Sequence, residues 1–164
     1  MVQTRKTKDA PSLSFERLTQ ALAADVPGRE RAWAEAVIDA LTAVEQVMRQ
    51  QLAAAEALEG PLAQVDQTRP SLVRQSEEVC RNQSDLLGQV IALRQEAQKA
   101  VQAFSSTGDP QNSAYTLTAR PNTIPDFGVI RRQAEEFLTR VQQNREVESK
   151  LVLESINTDI GAGD

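Results

Sequence analysis

The sequence predicts an all-α fold: an up-and-down antiparallel helical bundle of three long helices plus a shorter N-terminal helix. Aromatic residues make up only 4% of the chain and it has 7 glycines, whereas β-sandwiches and barrels need many turns and aromatic strands. Alanine, leucine, glutamine, glutamate and arginine, all strong helix formers, are abundant. Apolar residues also recur every three or four positions along three long stretches, which is typical of helices with one buried face.

The N-terminal part of the chain predicts a tail followed by a short helix. Residues 1–11 are polar and basic and end at Pro11, so we expect a disordered basic tail there. Ser12 or Ser14 would cap a helix that runs to about Ala24. The Val-Pro-Gly sequence at 26–28 ends this helix, because proline and glycine both disfavour its continuation.

Three long helices are predicted at about 29–59, 70–105 and 127–157. Pro70 suits the first turn of the second helix, where its missing N–H has no helical partner. Gly88 lies inside that helix at a cost of about 1 kcal/mol relative to alanine, so we expect another helix to approach it closely. Before the third helix, the sequence at 123–126 (Thr-Ile-Pro-Asp) resembles a capping box.

These elements predict one domain rather than several. Residues 12–160 would form a single helical bundle in which the long connection at 105–125, rich in proline and other turn formers, is a surface loop. Residues 161–164 contain two glycines and are predicted to be a flexible C-terminal tail. A chain of 164 residues is long enough to bury a substantial hydrophobic core.

Charge and composition argue against several classes of function. The net charge of −5 disfavours nucleic-acid binding, which draws most of its affinity from basic residues. No apolar run approaches the roughly 18 residues of a membrane span, and the first residues do not form a signal peptide. The single cysteine, Cys80, is predicted to be a buried, inert thiol. Because the chain has no histidine, it lacks the commonest general base. We expect a cytoplasmic protein that is not an enzyme.

Polar residues interrupt the apolar stripe of each long helix. Gln51, Gln83 and Asn144 each occupy a core-type position, and at about 1.5 Å per residue they fall within one or two turns of the same level. A buried carboxamide without a partner costs about 1–3 kcal/mol, so three at one level are expected to bond to one another or to water. Two interpretations remain open: a polar layer that sets the helix register, or a ligand site.

Three segments, in chain order, resemble the motifs of bacterial hemerythrin-like (HHE cation-binding) domains. The match rests on QLAAAEALEGPLAQV at 51–65 followed by Pro70, on NQSDLL at 82–87, and on 144–161 with its Asp-Ile-Gly ending. In that family, histidines stand at the positions of Gln51, Gln83 and Asn144. The resemblance implies a hemerythrin-like four-helix bundle built around a non-haem di-iron centre.

The same resemblance implies that this di-iron chemistry has been lost. Carboxamide oxygens are weak ligands for iron compared with the imidazole nitrogens they replace. Carboxylates at Glu56, Glu148 and Glu154 could remain as ligands, but we expect no metal, no cofactor and no oxygen chemistry. The chain is therefore predicted to be a non-catalytic bundle that binds a protein partner or self-associates as an interaction or scaffold module. The alternative is a metal- or small-ligand-binding bundle that uses the remaining carboxylates and carboxamides.

Overall fold

The fold is described from a computed structural model, for residues 10–24, 26, 28–56, 62, 65, 70–106 and 126–157. Within these residues lie four α-helices: α1 (Ala10–Ala23), α2 (Glu30–Glu56), α3 (Val73–Ser106) and α4 (Phe127–Asn157). A 3₁₀ turn at Pro70–Leu72 leads into α3. The helices pack against one another and no strand occurs in the described ranges, so the all-α bundle prediction is confirmed. No helix in this part of the chain has the length and apolar character of a membrane span.

The helix boundaries differ from the predicted ones in small ways. Helix α1 begins at Ala10, inside the predicted tail, because Pro11 is tolerated in a first turn, where no helical acceptor awaits its missing N–H. Helix α2 is described up to Glu56. The rest of the basic tail, the loop from 107 to 125 and the C-terminal tail lie outside the described residues, so those predictions remain untested.

The turn between α1 and α2 lies where the sequence predicted a break. Gly28 has a φ of 76°, a left-handed conformation that glycine adopts without steric cost. Its N–H donates to Glu30 Oε1 at 3.1 Å, and the N–H of Arg29 donates to the carbonyl of Val26 at 2.8 Å. The chain therefore reverses within a few residues and α2 starts at once.

Helix α4 is capped by Asp126 rather than by the predicted capping box. Its Oδ1 accepts hydrogen bonds from the N–H groups of Gly128 at 2.9 Å and Val129 at 3.3 Å. Asp126 thus occupies the N-cap position itself instead of the third helical position. A carboxylate there both satisfies free N–H groups and meets the positive end of the helix dipole.

The chain divides into two compact units, and each combines parts of all three long helices. Of the described residues, unit 1 contains those within 10–44 and 91–135, and unit 2 contains those within 45–90 and 136–157. Each unit joins the early part of one long helix to the late part of the next one. This grouping is that of antiparallel neighbouring helices, as the sequence predicted.

The core of unit 1 is formed by one face of each helix. Val37 and Leu41 of α2 and Leu18 of α1 are fully buried. They belong to a set that also includes Phe15, Leu22, Trp33, Ala34, Ala40, Val44, Leu93, Ala97, Ala100, Ile130 and Ala134. The predicted apolar stripes of α2, α3 and α4 therefore meet in this core.

One group of side chains, the Trp33 cluster (Trp33, Phe127, Arg131 and Ala24), joins three parts of unit 1. The ring of Phe127 meets that of Trp33 edge-on at 5.8 Å, with 88° between the planes. The guanidinium of Arg131 lies 5.4 Å from the centroid of the Trp33 ring, a cation–π arrangement. Arg131 Nη2 also donates to the carbonyl of Ala24 at 2.6 Å, and this bond ties the end of α1 to α4.

The core of unit 2 contains a cluster in which residues 62 and 65 pack on α3 and α4. It comprises Leu62, Val65, Leu72, Val79 and Leu151, with Cys80 and Val152 partly buried against it. Cys80 is half-buried, whereas the sequence predicted a fully buried thiol. Gly88 of α3 is exposed, and a Cβ built there would meet nothing within 4 Å. The expected close helix approach at Gly88 is wrong, because the neighbouring helices pack on the opposite face of α3.

Candidate functional site

The candidate site lies in unit 2, where polar side chains of α3 and α4 meet. Gln83 Nε2 donates to Glu148 Oε2 at 3.4 Å, and both side chains are half-buried. Val79 and Leu86 place Gln83 on the buried stripe of α3, and Leu151 does the same for Glu148 on α4. We call Gln83, Asn144, Arg145 and Glu148 the polar cluster.

The surroundings of the polar cluster disfavour charge on its carboxyl group. Burial raises the pKa of Glu148 above its usual value, while the nearby Arg145 charge and the hydrogen bond from Gln83 lower it by less. Burial also lowers the pKa of Arg145, against the opposing effect of Glu148. Both ionic side chains are therefore only partly compensated for their removal from water.

Asn144 is the buried member of the cluster, with 9% of its surface exposed. It precedes Glu148 by one helical turn and therefore shares the inner face of α4. Its Oδ1 is shielded from solvent and accepts no hydrogen bond. An unsatisfied buried acceptor costs about 1–3 kcal/mol, so Asn144 is a costly choice for packing alone.

A groove of about 310 Å³ runs along the α3–α4 contact beside Asn144. Two apolar residues, Leu86 and Val147, form part of its surface. The rest of the surface is polar and comes from both helices: Asn82, Asp85 and Gln89 of α3, and Arg140, Gln143 and Asn144 of α4. The groove therefore presents one carboxylate, one guanidinium and four carboxamides.

Gln51 is exposed, so the predicted layer of three buried carboxamides is wrong at this position. The buried stripe of α2 runs through Val44 and Met48 and continues through the half-buried Leu52 and Ala55. Gln51 lies at the edge of that stripe, about 20° around the helix from Val44 but about 100° from Leu52, and its side chain is exposed. Of the three carboxamides predicted to form the layer, only those of Gln83 and Asn144 lie at the α3–α4 contact.

Of the three carboxylates proposed as residual ligands, only Glu148 belongs to the polar cluster. Glu154 is exposed, and the side chain of Glu56 lies outside the described residues. In the described ranges, no group of three or more histidine, cysteine, aspartate or glutamate side chains is arranged to hold a metal ion. The cluster offers hydrogen-bonding groups and a single carboxylate of raised pKa, which suits binding better than metal chemistry.

Sequence reasoning missed the buried Glu45 and the charged walls of the groove. Glu45 is 8% exposed and accepts from Nε and Nη2 of Arg49 at 3.0 and 2.8 Å. Its spacing of four residues from Arg49, next to the core residue Val44, is the signal that would have found it. Nothing in the sequence indicated that Asp85 and Arg140, 55 residues apart, would line the same groove.

This chain matches no protein-family model, no curated protein and no solved structure. The resemblance to hemerythrin-like domains therefore stays a prediction that rests on residues alone. Its first motif has lost physical support because Gln51 is exposed. Gln83 and Asn144, at the histidine positions of the second and third motifs, lie on the facing sides of α3 and α4, but this placement is not specific to one family.

Proposed function

We propose that this chain is a non-catalytic helical bundle, related to hemerythrin-like domains but without their di-iron site, that acts as a protein-interaction or scaffold module. A second copy of the chain is the first partner to test. The resemblance contributes to this proposal only through Gln83 on α3 and Asn144 on α4, because Gln51 on α2 is exposed. An enzymatic role would rest on Glu148, which interacts with Arg145 and Gln83 in the described part of the chain, and neither of these two side chains is an effective general acid or base near neutral pH.

The absence of iron chemistry follows from the donors in the polar cluster. Gln83 and Asn144 stand where the family has histidines, and their carboxamide oxygens are weak ligands. Glu148 adds one carboxylate, whose pKa is raised by burial and which Gln83 already engages. Elemental analysis of protein purified without chelators tests this part, and we expect less than about a tenth of a metal ion per chain.

The observation that carries the interaction role is the exposed apolar end of α4. Leu153 and Ile156 are each 58% exposed. Because they are three residues apart, they lie on neighbouring positions of one helix side. Leu153 lies about 200° around the helix from the buried Leu151, so it faces away from the core. We propose that a partner protein packs on these two adjacent apolar side chains.

Size-exclusion chromatography with light scattering tests self-association of the full chain. We expect a dimer or larger species whose share increases with concentration. The variant L153E/I156E should run as a monomer with unchanged helix content. The matched control is Leu13→Glu, which changes another exposed apolar residue, 45% exposed on α1, and should leave association intact. A wild-type monomer at every concentration would contradict self-association.

A second candidate function, small-ligand binding, is favoured by Asn144. Its shielded Oδ1 has no partner, and the residue lines the α3–α4 groove. Perturbed and unsatisfied polar groups beside a cavity are a common feature of binding sites. The metal-ion form of this function is tested by the elemental analysis above. The small-molecule form leads to the inference that follows.

A further inference from the structure

The groove between α3 and α4 has walls of opposite charge. Asp85 contributes a carboxylate from α3, and Arg140 contributes a guanidinium from α4. Both side chains are exposed, and the structure gives neither of them an ion-pair or hydrogen-bond partner in the described part of the chain. One free anion and one free cation therefore border the same space.

The base of the groove adds an unsatisfied carboxamide. Asn144 lines the groove, is nine-tenths buried, and has an Oδ1 without a partner. A carboxamide carries both a donor and an acceptor edge. Because Oδ1 is shielded from solvent, a polar ligand group in the groove bonds to it only when the Asn144 side chain turns toward the groove. This is the independent sign of a ligand, because a buried polar atom is normally satisfied.

We propose that this groove binds a small zwitterion of the α-amino-acid type, with its ammonium group toward Asp85, its carboxylate toward Arg140 and a polar group at Asn144. The proposal rests on the second candidate function and specifies its ligand. Guanidinium groups bind carboxylates with two parallel hydrogen bonds, and an ammonium group pairs with a carboxylate as a compact charge.

Other ligand classes fit the groove less well. A phosphorylated ligand would meet one cation and one anion, so its charge would gain little net attraction. An apolar ligand would leave the carboxamides of Gln89 and Gln143 and the charge of Asp85 without water. At about 310 Å³ the groove is at the small end of ligand sites, which favours a free amino acid over a larger molecule.

The first experiment measures binding to the full chain. Calorimetry and thermal shift are carried out with glycine, L-serine, L-asparagine and L-glutamine at concentrations up to about 10 mM, because a ligand that binds only the folded state raises Tm by mass action. We expect at least one of them to bind and raise Tm. For L-glutamine, the matched probes are glutaramate, which lacks the ammonium, and γ-aminobutyramide, which lacks the carboxylate; both should bind more weakly than the parent.

The second experiment locates the site with variants on each wall. Asp85→Asn and Arg140→Gln should each weaken binding about three- to fivefold, the range expected for one exposed ionic contact. Their controls are Asp39→Asn and Arg132→Gln, exposed residues outside the groove, which should not change affinity. Asn144→Leu should weaken binding about tenfold while the protein stays folded, because it removes the polar contact but not the apolar packing.

Three outcomes would overturn the proposal: no amino acid binds, the probes lacking one charge bind as well as the parent, or the groove variants leave affinity unchanged. Light scattering on the same samples separates this proposal from the interaction role. If the wild-type chain self-associates but binds no amino acid, only the proposed zwitterion site is contradicted. If the wild-type chain binds an amino acid but stays monomeric, only the proposed self-association is contradicted.

Discussion

The Trp33 cluster of unit 1 and the polar cluster of unit 2 are two contacts with opposite chemistry. The Trp33 cluster contains two aromatic rings in edge-on contact, a guanidinium over one of the rings and a hydrogen bond of 2.6 Å. The second contains one long hydrogen bond of 3.4 Å and ionic groups whose charges burial disfavours. Each cluster also keeps unpartnered buried atoms: Nε1 of Trp33 and Nε of Arg131 in unit 1, and Oδ1 of Asn144 in unit 2.

The difference indicates which contact serves stability and which serves binding. In unit 1, large apolar area and a cation–π contact offset the unpaired donors. In unit 2, a groove lined by Leu86 and Val147 as well as by polar side chains reaches Asn144, and the described residues there make no aromatic or cation–π contact. Positions that lower stability without a packing gain are typical of functional sites, so changes in the two clusters should have opposite effects on stability.

The largest expected effect is a loss of stability on Trp33→Ala in unit 1. Trp33 is 4% exposed, and removing a buried large aromatic side chain costs about 3–5 kcal/mol through lost burial and the cavity left behind. Urea unfolding followed by circular dichroism measures the change. Leu13→Ala, at an exposed position, is the control and should change stability by less than about 0.5 kcal/mol. A loss for Trp33→Ala as small as that of the control would remove the distinction between the clusters.

Arg131→Gln should produce the next largest loss, about 1–3 kcal/mol. The substitution removes both the cation–π contact with Trp33 and the charged hydrogen bond to the carbonyl of Ala24. The same unfolding measurement applies, with Arg132→Gln as the control at the adjacent, exposed position. If both variants lost the same small amount, the bond between α4 and the end of α1 would contribute nothing.

Asn144→Leu in unit 2 should instead increase stability, by about 1 kcal/mol, because it removes an unsatisfied buried acceptor and adds apolar burial. Asn144→Asp is the informative counterpart: it places a carboxylate at the same shielded position and should lower stability at neutral pH. A clear loss on Asn144→Leu would mean that the carboxamide makes a stabilising contact, and the proposed contrast between the clusters would fail.

The smallest expected effect is a pH-dependent gain on Glu148→Gln. Burial raises the pKa of Glu148 in the folded protein above its usual 4.5, so the folded state binds this proton more tightly than the unfolded state. Its stabilising contribution is therefore complete below the usual pKa and is lost as pH rises through the raised one. Unfolding is measured from about pH 4 to about pH 8. The free energy of unfolding of the variant should increase relative to that of the wild type as the pH rises.

The control for that pH series is Ser149→Ala, an exposed and non-titrating position on α4. Its difference from the wild type should stay constant across the series. A constant difference for Glu148→Gln as well would contradict the role of buried charge in the polar cluster.

Local sequence was sufficient for the helices and most of their ends. Apolar spacing indicated the three long helices and the short one, and Gly28 and Pro70 lie at the breaks that their backbone chemistry requires. The lack of histidine in the chain by itself excludes an imidazole ligand. These features depend on composition or on neighbours within a few residues, and such information is present in the sequence itself.

Only the tertiary structure decided which polar residues face inward. Gln51 fits the apolar stripe of α2 by its spacing, because it lies one heptad after Val44 and only about 20° around the helix from it, and it is still exposed. Its exposure depends on which other elements cover that end of α2. The packing of α3 on α4 left Gly88 open, shielded Asn144, and placed Asp85 and Arg140 on one groove. Those outcomes depend on how one helix packs against another that lies dozens of residues away in the sequence. No local sequence pattern specifies the register of that packing.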